Sequence, residues 1–250
     1  MPNAAPFTVT FTGARRARVV RVERDDDLVP ALQALGLGDA RPTVALVGGA
    51  GGLADAHRDG VRAFLAEALI PLADELEAYV VDGGTHAGVM RLMGEARAVT
   101  AATFPLVGVA AAGTVALPQP NEQRPRADAA ALDPDHTHFV LVPGERWGDE
   151  SPWLAAVVGA LAGSQQSVTV LVNGGDVALN DVAHSVQAGR PVFVVTGSGR
   201  TADLLAAALR RSPADPRLQR LTASGLIRAS DPQARGLAVA QSISRILAAE

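Results

Sequence analysis

Six short, solid apolar runs punctuate this chain, and five of them end directly in a glycine-rich segment. The runs occupy 43–47, 78–81, 105–111, 138–142, 168–172 and 192–195. Each is too short for a buried helix, and most carry β-branched residues. Between them lie Ala/Leu-rich stretches with helical spacing. In 61–76, Phe64, Leu65, Ala68, Leu69 and Leu72 share one helix face. A further helix is expected from Ser151-Pro152, read as an N-cap and a first-turn proline, to about Leu161. Others are expected over 89–98, 177–187 and 201–210, and around Val239, Ile243, Ile246 and Leu247. Alternating buried strands and amphipathic helices predict an α/β domain with a mainly parallel sheet covered on both faces.

The N-terminal part reads differently. Segments 7–11 and 18–22 alternate about Gly13 and predict a β-hairpin, followed by a short helix over 28–35. The hairpin is too small to hold a core of its own. Residues 1–250 are therefore read as one domain, with 1–40 packed onto it. The segment 113–137 contains four prolines and predicts a long loop able to cover a site.

Composition narrows the function. The apolar fraction of 48% supports a sizeable core. The 22 basic and 26 acidic side chains give a formal charge of −4, and the basic residues are scattered apart from Arg15, Arg16 and Arg18. A nucleic-acid surface would show a basic stripe instead. The absence of cysteine excludes thiolate nucleophiles, disulfides and Cys-ligated zinc. The N-terminus lacks a signal-peptide pattern and no apolar run reaches membrane length. A cytoplasmic protein with no membrane partner is expected.

In open parallel sheets a ligand sits beyond the carboxyl ends of the strands. The residues there are Gly48, Gly49, Ala50 and Gly51; then Asp82, Gly83, Gly84, Thr85, His86 and Gly88. They continue with Gly144, Glu145 and Trp147; Asn173, Gly174, Gly175 and Asp176; and Gly197, Ser198, Gly199 and Arg200. Glycine allows close backbone approach and frees N–H groups for phosphate, although it also simply makes tight strand-to-helix turns. Five such loops at one edge favour a ligand. None is a Walker A loop, and none matches Gly-x-Gly-x-x-Gly with its acidic partner.

Individual residues carry two readings each. Asp82 can bind ribose hydroxyls or bond its own turn. Trp147 can stack on a base or pack in the core, whereas Trp153 is read as core. His86 is placed to hydrogen-bond phosphate. His136 and His138 would share a face of an extended segment, but a metal needs a third ligand and none is evident. Ser198 lacks the nucleophile-elbow spacing.

The run Asp82-Gly83-Gly84-Thr85-His86-Ala87-Gly88-Val89-Met90 with Gly94-Glu95-Ala96 resembles the Gly-Gly-x-x-x-Gly-x-Met…Gly-x-Ala motif of the SLOG superfamily. That superfamily includes the LOG phosphoribohydrolases, the DprA/Smf proteins and the N-terminal cytosolic region of TRPM channels. Gly197-Ser198-Gly199-Arg200-Thr201-Ala202-Asp203-Leu204 is similar to the Gly-Ser-Gly-Arg-x-Ala-Asp-Leu segment of the TRPM (LSDAT) branch. The resemblance spans about 43–205. It implies a Rossmann-like three-layer α/β/α fold and a nucleotide-derived ligand such as ADP-ribose, with Arg200 gripping its phosphates. The alternative for Arg200 is a local salt bridge with Asp203.

One motif departs from the family. Where LOG enzymes carry Pro-Gly-Gly-x-Gly-Thr-x-x-Glu with a catalytic Glu, the similar stretch here is Asn173-Gly174-Gly175-Asp176-Val177-Ala178-Leu179-Asn180-Asp181. The Gly-Thr pair is lost and the carboxylate is one methylene shorter, which disfavours hydrolysis. The leading expectation is thus a non-catalytic sensor that binds a small nucleotide-like molecule, with no obligatory cofactor, no metal site and a homodimer as one option. The alternative is a nucleotide hydrolase using Asp181 or Glu145.

Overall fold

The computed structural model describes residues 5–118, 127–211, 214–231 and 236–248. Its strands are β1 (Phe7–Thr10), β2 (Arg16–Arg21), β3 (Thr43–Gly48), β4 (Tyr79–Asp82), β5 (Leu106–Ala111), β6 (Val115–Ala116), β7 (Ala130–Ala131), β8 (His138–Val142), β9 (Ser167–Val172), β10 (Val192–Val194) and β11 (Ile227–Ala229). Its helices are α1 (Leu28–Leu35), α2 (Asp55–Phe64), α3 (Ile70–Glu75), α4 (Gly88–Thr100), α5 (Ser151–Ala162), α6 (Asp176–Gln187), α7 (Arg200–Ala208), α8 (Pro216–Ala223) and α9 (Gly236–Leu247). A π-helical turn at Leu65–Leu69 joins α2 to α3 into one continuous helix.

Nine strands form one sheet in the order β1-β2-β8-β5-β4-β3-β9-β10-β11. Among the described residues, the β1–β2 pair is the one antiparallel pairing within this sheet. Side chains alternate between its faces, as a strand demands. Val44, Leu46, Val80, Leu106, Val168 and Val170 face one side and meet α2, α3, α4 and α9. Ala45, Tyr79, Val81, Val107 and Val140 face the other side and meet α1 and α5, while Leu171, Val192 and Val194 meet α6, α7 and α8. The result is the three-layer α/β/α sandwich expected of the sequence.

All six apolar runs are strands of the parallel sheet. The N-terminal hairpin joins the domain through its backbone. Strand β2 extends the sheet, pairing in parallel with β8 at Arg18–His138 and Val19–Phe139. Edge pairing recruits the hairpin because β8 would otherwise expose unpaired backbone. Ser151 is not an N-cap. It is already helical, and the preceding Glu150 has αR backbone (φ −74°, ψ −18°) without a side-chain cap bond. An N-cap needs extended backbone, and here Ser151 N–H instead closes a turn on Gly148 C=O at 3.1 Å.

Four short elements were not expected from the sequence: α8, β11 and the two-residue strands β6 and β7. Helix α8 buries only Leu218 and Leu221, and β11 is three residues long, so both patterns are short. The long loop 113–137 opens and closes on the small β6–β7 pair. Leu132 within it bridges to Thr85, tying the loop to the end of β4. Its residues 119–126 lie outside the described residues. Among the described residues no helix is long and apolar enough to cross a membrane.

Candidate functional site

The chain turns in opposite directions on the two sides of β3, which has β4 on one side and β9 on the other. A crevice opens at the carboxyl ends of the strands at such a point. Here a cavity of about 260 Å³ is lined by the loops after β3, β4, β5, β8, β9 and β10. Gly48, Gly49 and Gly51 form its floor with Gly83 and Thr85, and Gly175, Asp176 and Asp181 come from the opposite wall. Trp147 and Arg200 complete the rim, and Met90, Val177 and Leu154 supply apolar wall. This mixture of a mostly apolar wall and a few polar groups is typical of small-molecule sites.

Glycine is required where the loops meet. A Cβ at Gly88, which has φ +51°, would drive into the Gly49 carbonyl and Ala50. That close approach lets Val89 N–H, at the start of α4, donate to Gly49 C=O at 3.1 Å.

Arg200 starts α7 with left-handed backbone, φ +49°. Its Nη1 donates to Gly51 C=O at 2.9 Å, so the guanidinium spans from the loop after β10 to the loop after β3. Asp203 is not its partner. The Asp203 carboxylate accepts Gly197 N–H at 2.6 Å and Gly199 N–H at 3.1 Å.

Several of the residues singled out by sequence point inward and join loops to one another. Asn173 N–H donates to Ser198 Oγ at 2.8 Å, and Asn173 Nδ2 donates to Ser198 C=O at 2.9 Å. Both residues are buried. Gly174, Gly197 and Gly199 carry positive φ and shape these same turns. Gly144 (φ +153°) and Glu145 lie in the loop after β8, which Asp149 closes by accepting Glu145 N–H at 2.9 Å and Arg146 N–H at 3.0 Å. Neither Gly144 nor Glu145 is among the residues lining the cavity.

Asp82 is fully buried and is not part of the cavity lining either. Its Oδ1 accepts Gly84 N–H at 2.7 Å, the turn bond that short acidic residues favour. The same oxygen accepts His136 Nε2 at 2.8 Å, and His136 Nδ1 reaches Asp133 Oδ1 at 3.1 Å. Asp133 Oδ2 in turn meets His86 Nδ1 at 2.7 Å. Burial alone would push the His136 pKa down, but the Asp82 and Asp133 carboxylates lift it to about 9. His136 is thus an imidazolium donating from both nitrogens. His138, two residues on, has the opposite fate: burial first, then Arg18 and Arg97, lower its pKa to about 4. Asp82, 54 positions away, reaches His136 only through the fold, whereas Asp133 is its neighbour three residues back in a local turn.

The cavity carries an acidic pair that sequence identified only by half. Asp181 lines it from α6, and burial raises its pKa to about 7, with the Glu150 charge adding to the rise and the Ser151 hydroxyl opposing it. Glu150 lines it from the loop before α5 and is raised chiefly by burial, although it accepts Gly148 N–H at 3.0 Å. Trp147 is 41% exposed at the rim, while Trp153 packs against the core as expected.

Comparisons with known proteins give the family of the chain. Rat transient receptor potential cation channel subfamily M member 2 (Rattus norvegicus) is 25% identical over 245 residues, covering 82% of this chain and 16% of the channel. The mouse channel of the same name (Mus musculus) gives the same identity and coverage. The chain therefore spans only a small part of the curated relatives it matches. The family model described as "SLOG in TRPM, prokaryote" matches residues 41–241, and the chain belongs to that family.

Proposed function

We propose that the protein binds a nucleotide-derived ligand of the ADP-ribose kind in the cavity at the ends of β3 and β9. The observation that carries this reading is the convergence of Trp147, Arg200 and the glycine loop 48–51 on one cavity. The rim indole offers a stacking face for a base. The guanidinium, already spanning two loops through Gly51, offers paired donors to a phosphate or diphosphate. The glycines let that phosphate approach the backbone.

Isothermal calorimetry with AMP, ADP, ADP-ribose, cyclic ADP-ribose, NAD and cytokinin monophosphates tests it, with product analysis of the same samples. Saturable binding of one of them intact supports a sensor. Absence of binding to any removes the reading.

A second reading, hydrolysis, is favoured by one observation. Asp181 is half-protonated near pH 7 and faces the cavity beside Glu150. In that reading water adds to the anomeric carbon, the C–N bond to the base breaks, and Asp181 gives its proton to the leaving nitrogen while Glu150 takes one from water. Release of free base in the calorimetry samples identifies it.

A further inference from the structure

On the far side of the glycine loop lies a second cavity, of about 280 Å³, that shares Ala50 and Gly51 with the first. Its walls are cationic. Arg58 and Arg62 reach it from α2, Arg91 from α4, and His86 from the turn between β4 and α4. The acidic groups near it are already engaged: Asp55 pairs with Arg58 at 3.1 Å and Glu95 with Arg91 at 2.6 Å. Arg62 has no ion pair among the described residues. His86 is held rather than free. Asp133 Oδ2 fixes its Nδ1 at 2.7 Å, and Asp133 is fixed by the buried His136. An imidazole oriented this way from behind presents its other nitrogen in a defined direction, as carboxylate-backed histidines do at ligand sites.

We infer that this second cavity binds a phosphoryl group, gripped by Arg62, Arg91 and His86 beside the Gly51-Gly52 backbone. The three guanidiniums meet two carboxylates, Asp55 and Glu95, which leaves one positive charge in excess at Arg62, beside the further donors of Arg91 and His86 for a phosphate. Neither the nucleotide motif nor the Arg200 clamp requires these residues. Two sources share the chemistry: the ligand's own terminal phosphate, reaching around the loop from the first cavity, or free phosphate or pyrophosphate. The first source rests on the nucleotide reading proposed above, and the second does not.

The test measures binding of inorganic phosphate, pyrophosphate, adenosine, AMP and ADP-ribose to the full chain and to Arg62→Ala and Arg62→Ala/Arg91→Ala variants. Both arginines are on exposed helix surface, and circular dichroism with a melting curve verifies that each variant folds. The expected result is a loss of at least about tenfold in affinity for the phosphorylated compounds, with adenosine affinity unchanged. AMP affected with inorganic phosphate silent assigns the site to the ligand's own phosphate. Pyrophosphate affected with no nucleoside binding at all sustains this site and sinks the nucleotide reading. Nucleotides bound equally by wild type and both variants overturn the phosphoryl site and leave the nucleotide reading standing. Binding of none of the five probes overturns both.

Discussion

Arg200 and Gly51 lie 149 positions apart in sequence, yet Nη1 of one donates to the carbonyl of the other at 2.9 Å. The bond ties the loop after β10 to the loop after β3 across the mouth of the cavity. It also explains why Arg200 tolerates φ +49°, a conformation that L side chains rarely adopt. Two substitutions separate the roles of side chain and backbone. Arg200→Ala removes the guanidinium and keeps the strained backbone. Arg200→Gly removes both. Either is expected to weaken ADP-ribose binding by roughly tenfold or more, the worth of a charged hydrogen bond. The glycine variant should melt higher than the alanine variant. Unchanged affinity in both, by calorimetry, shows that the clamp holds loops and touches no ligand.

Trp147 gives a direct optical report. It is 41% exposed at the cavity rim, whereas Trp153, the other indole, packs against the core. A base stacked on Trp147 should quench its emission, and Trp147→Phe should abolish that change while leaving the Trp153 signal. Adenine-containing ligands that bind by calorimetry without altering the fluorescence place the base elsewhere.

Asp181 predicts a pH-dependent stability with a defined sign. Burial raises its folded-state pKa from 3.8 to about 7. Between those values the folded chain holds a proton that the unfolded chain has released. Its contribution therefore favours folding at low pH and declines as pH rises through about 7. Asp181→Asn removes that titration and should stabilise the protein at pH 8, by up to about 4 kcal/mol, with little effect near pH 4. Urea unfolding at the two pH values measures it. A variant less stable than wild type at pH 8 means that the ionised carboxylate is satisfied by groups in the cavity.

How far the sequence could reach depends on the range of each interaction. The central strands of the parallel sheet were legible because burial on both faces leaves unbroken runs such as 168–172, whereas the three-residue edge strand β11 leaves none. The glycine loops were legible because their turns need positive φ, as at Gly84, Gly88 and Gly197. Helix α8 was not, since its two buried residues, Leu218 and Leu221, fit many patterns. Within the site, Trp147, Asp181 and Arg200 were found because each sits next to a motif. Glu150 and the arginines of the second cavity were not, because only the tertiary arrangement desolvates the first and gathers the others. Asp82 had two readings, a ribose contact or a bond to its own turn; the fold gives it the turn bond to the Gly84 amide and adds His136, which the sequence did not indicate.

That buried chain from Asp82 through His136 and Asp133 to His86 gives the last expectation. His136 has a folded-state pKa of about 9 against 6.5 unfolded. A raised pKa contributes stability that is fully present below 6.5 and is lost as pH rises through about 9. The neighbouring His138 runs the other way. Its pKa, lowered to about 4, contributes stability above 6.5 that is lost as pH falls toward 4. The two windows do not overlap, so they can be assigned separately. His136→Asn should cost about 3 kcal/mol at pH 7, because it leaves Asp82 and Asp133 buried without their shared cation. It should also flatten the decline between pH 6.5 and 9. Double substitution of Asp82 and Asp133 by Asn, with His136 retained, should flatten the same limb by returning the imidazole to its neutral form. Melting curves across pH 6–9.5 decide it. A variant that keeps the wild-type decline over that range places the titrating group elsewhere.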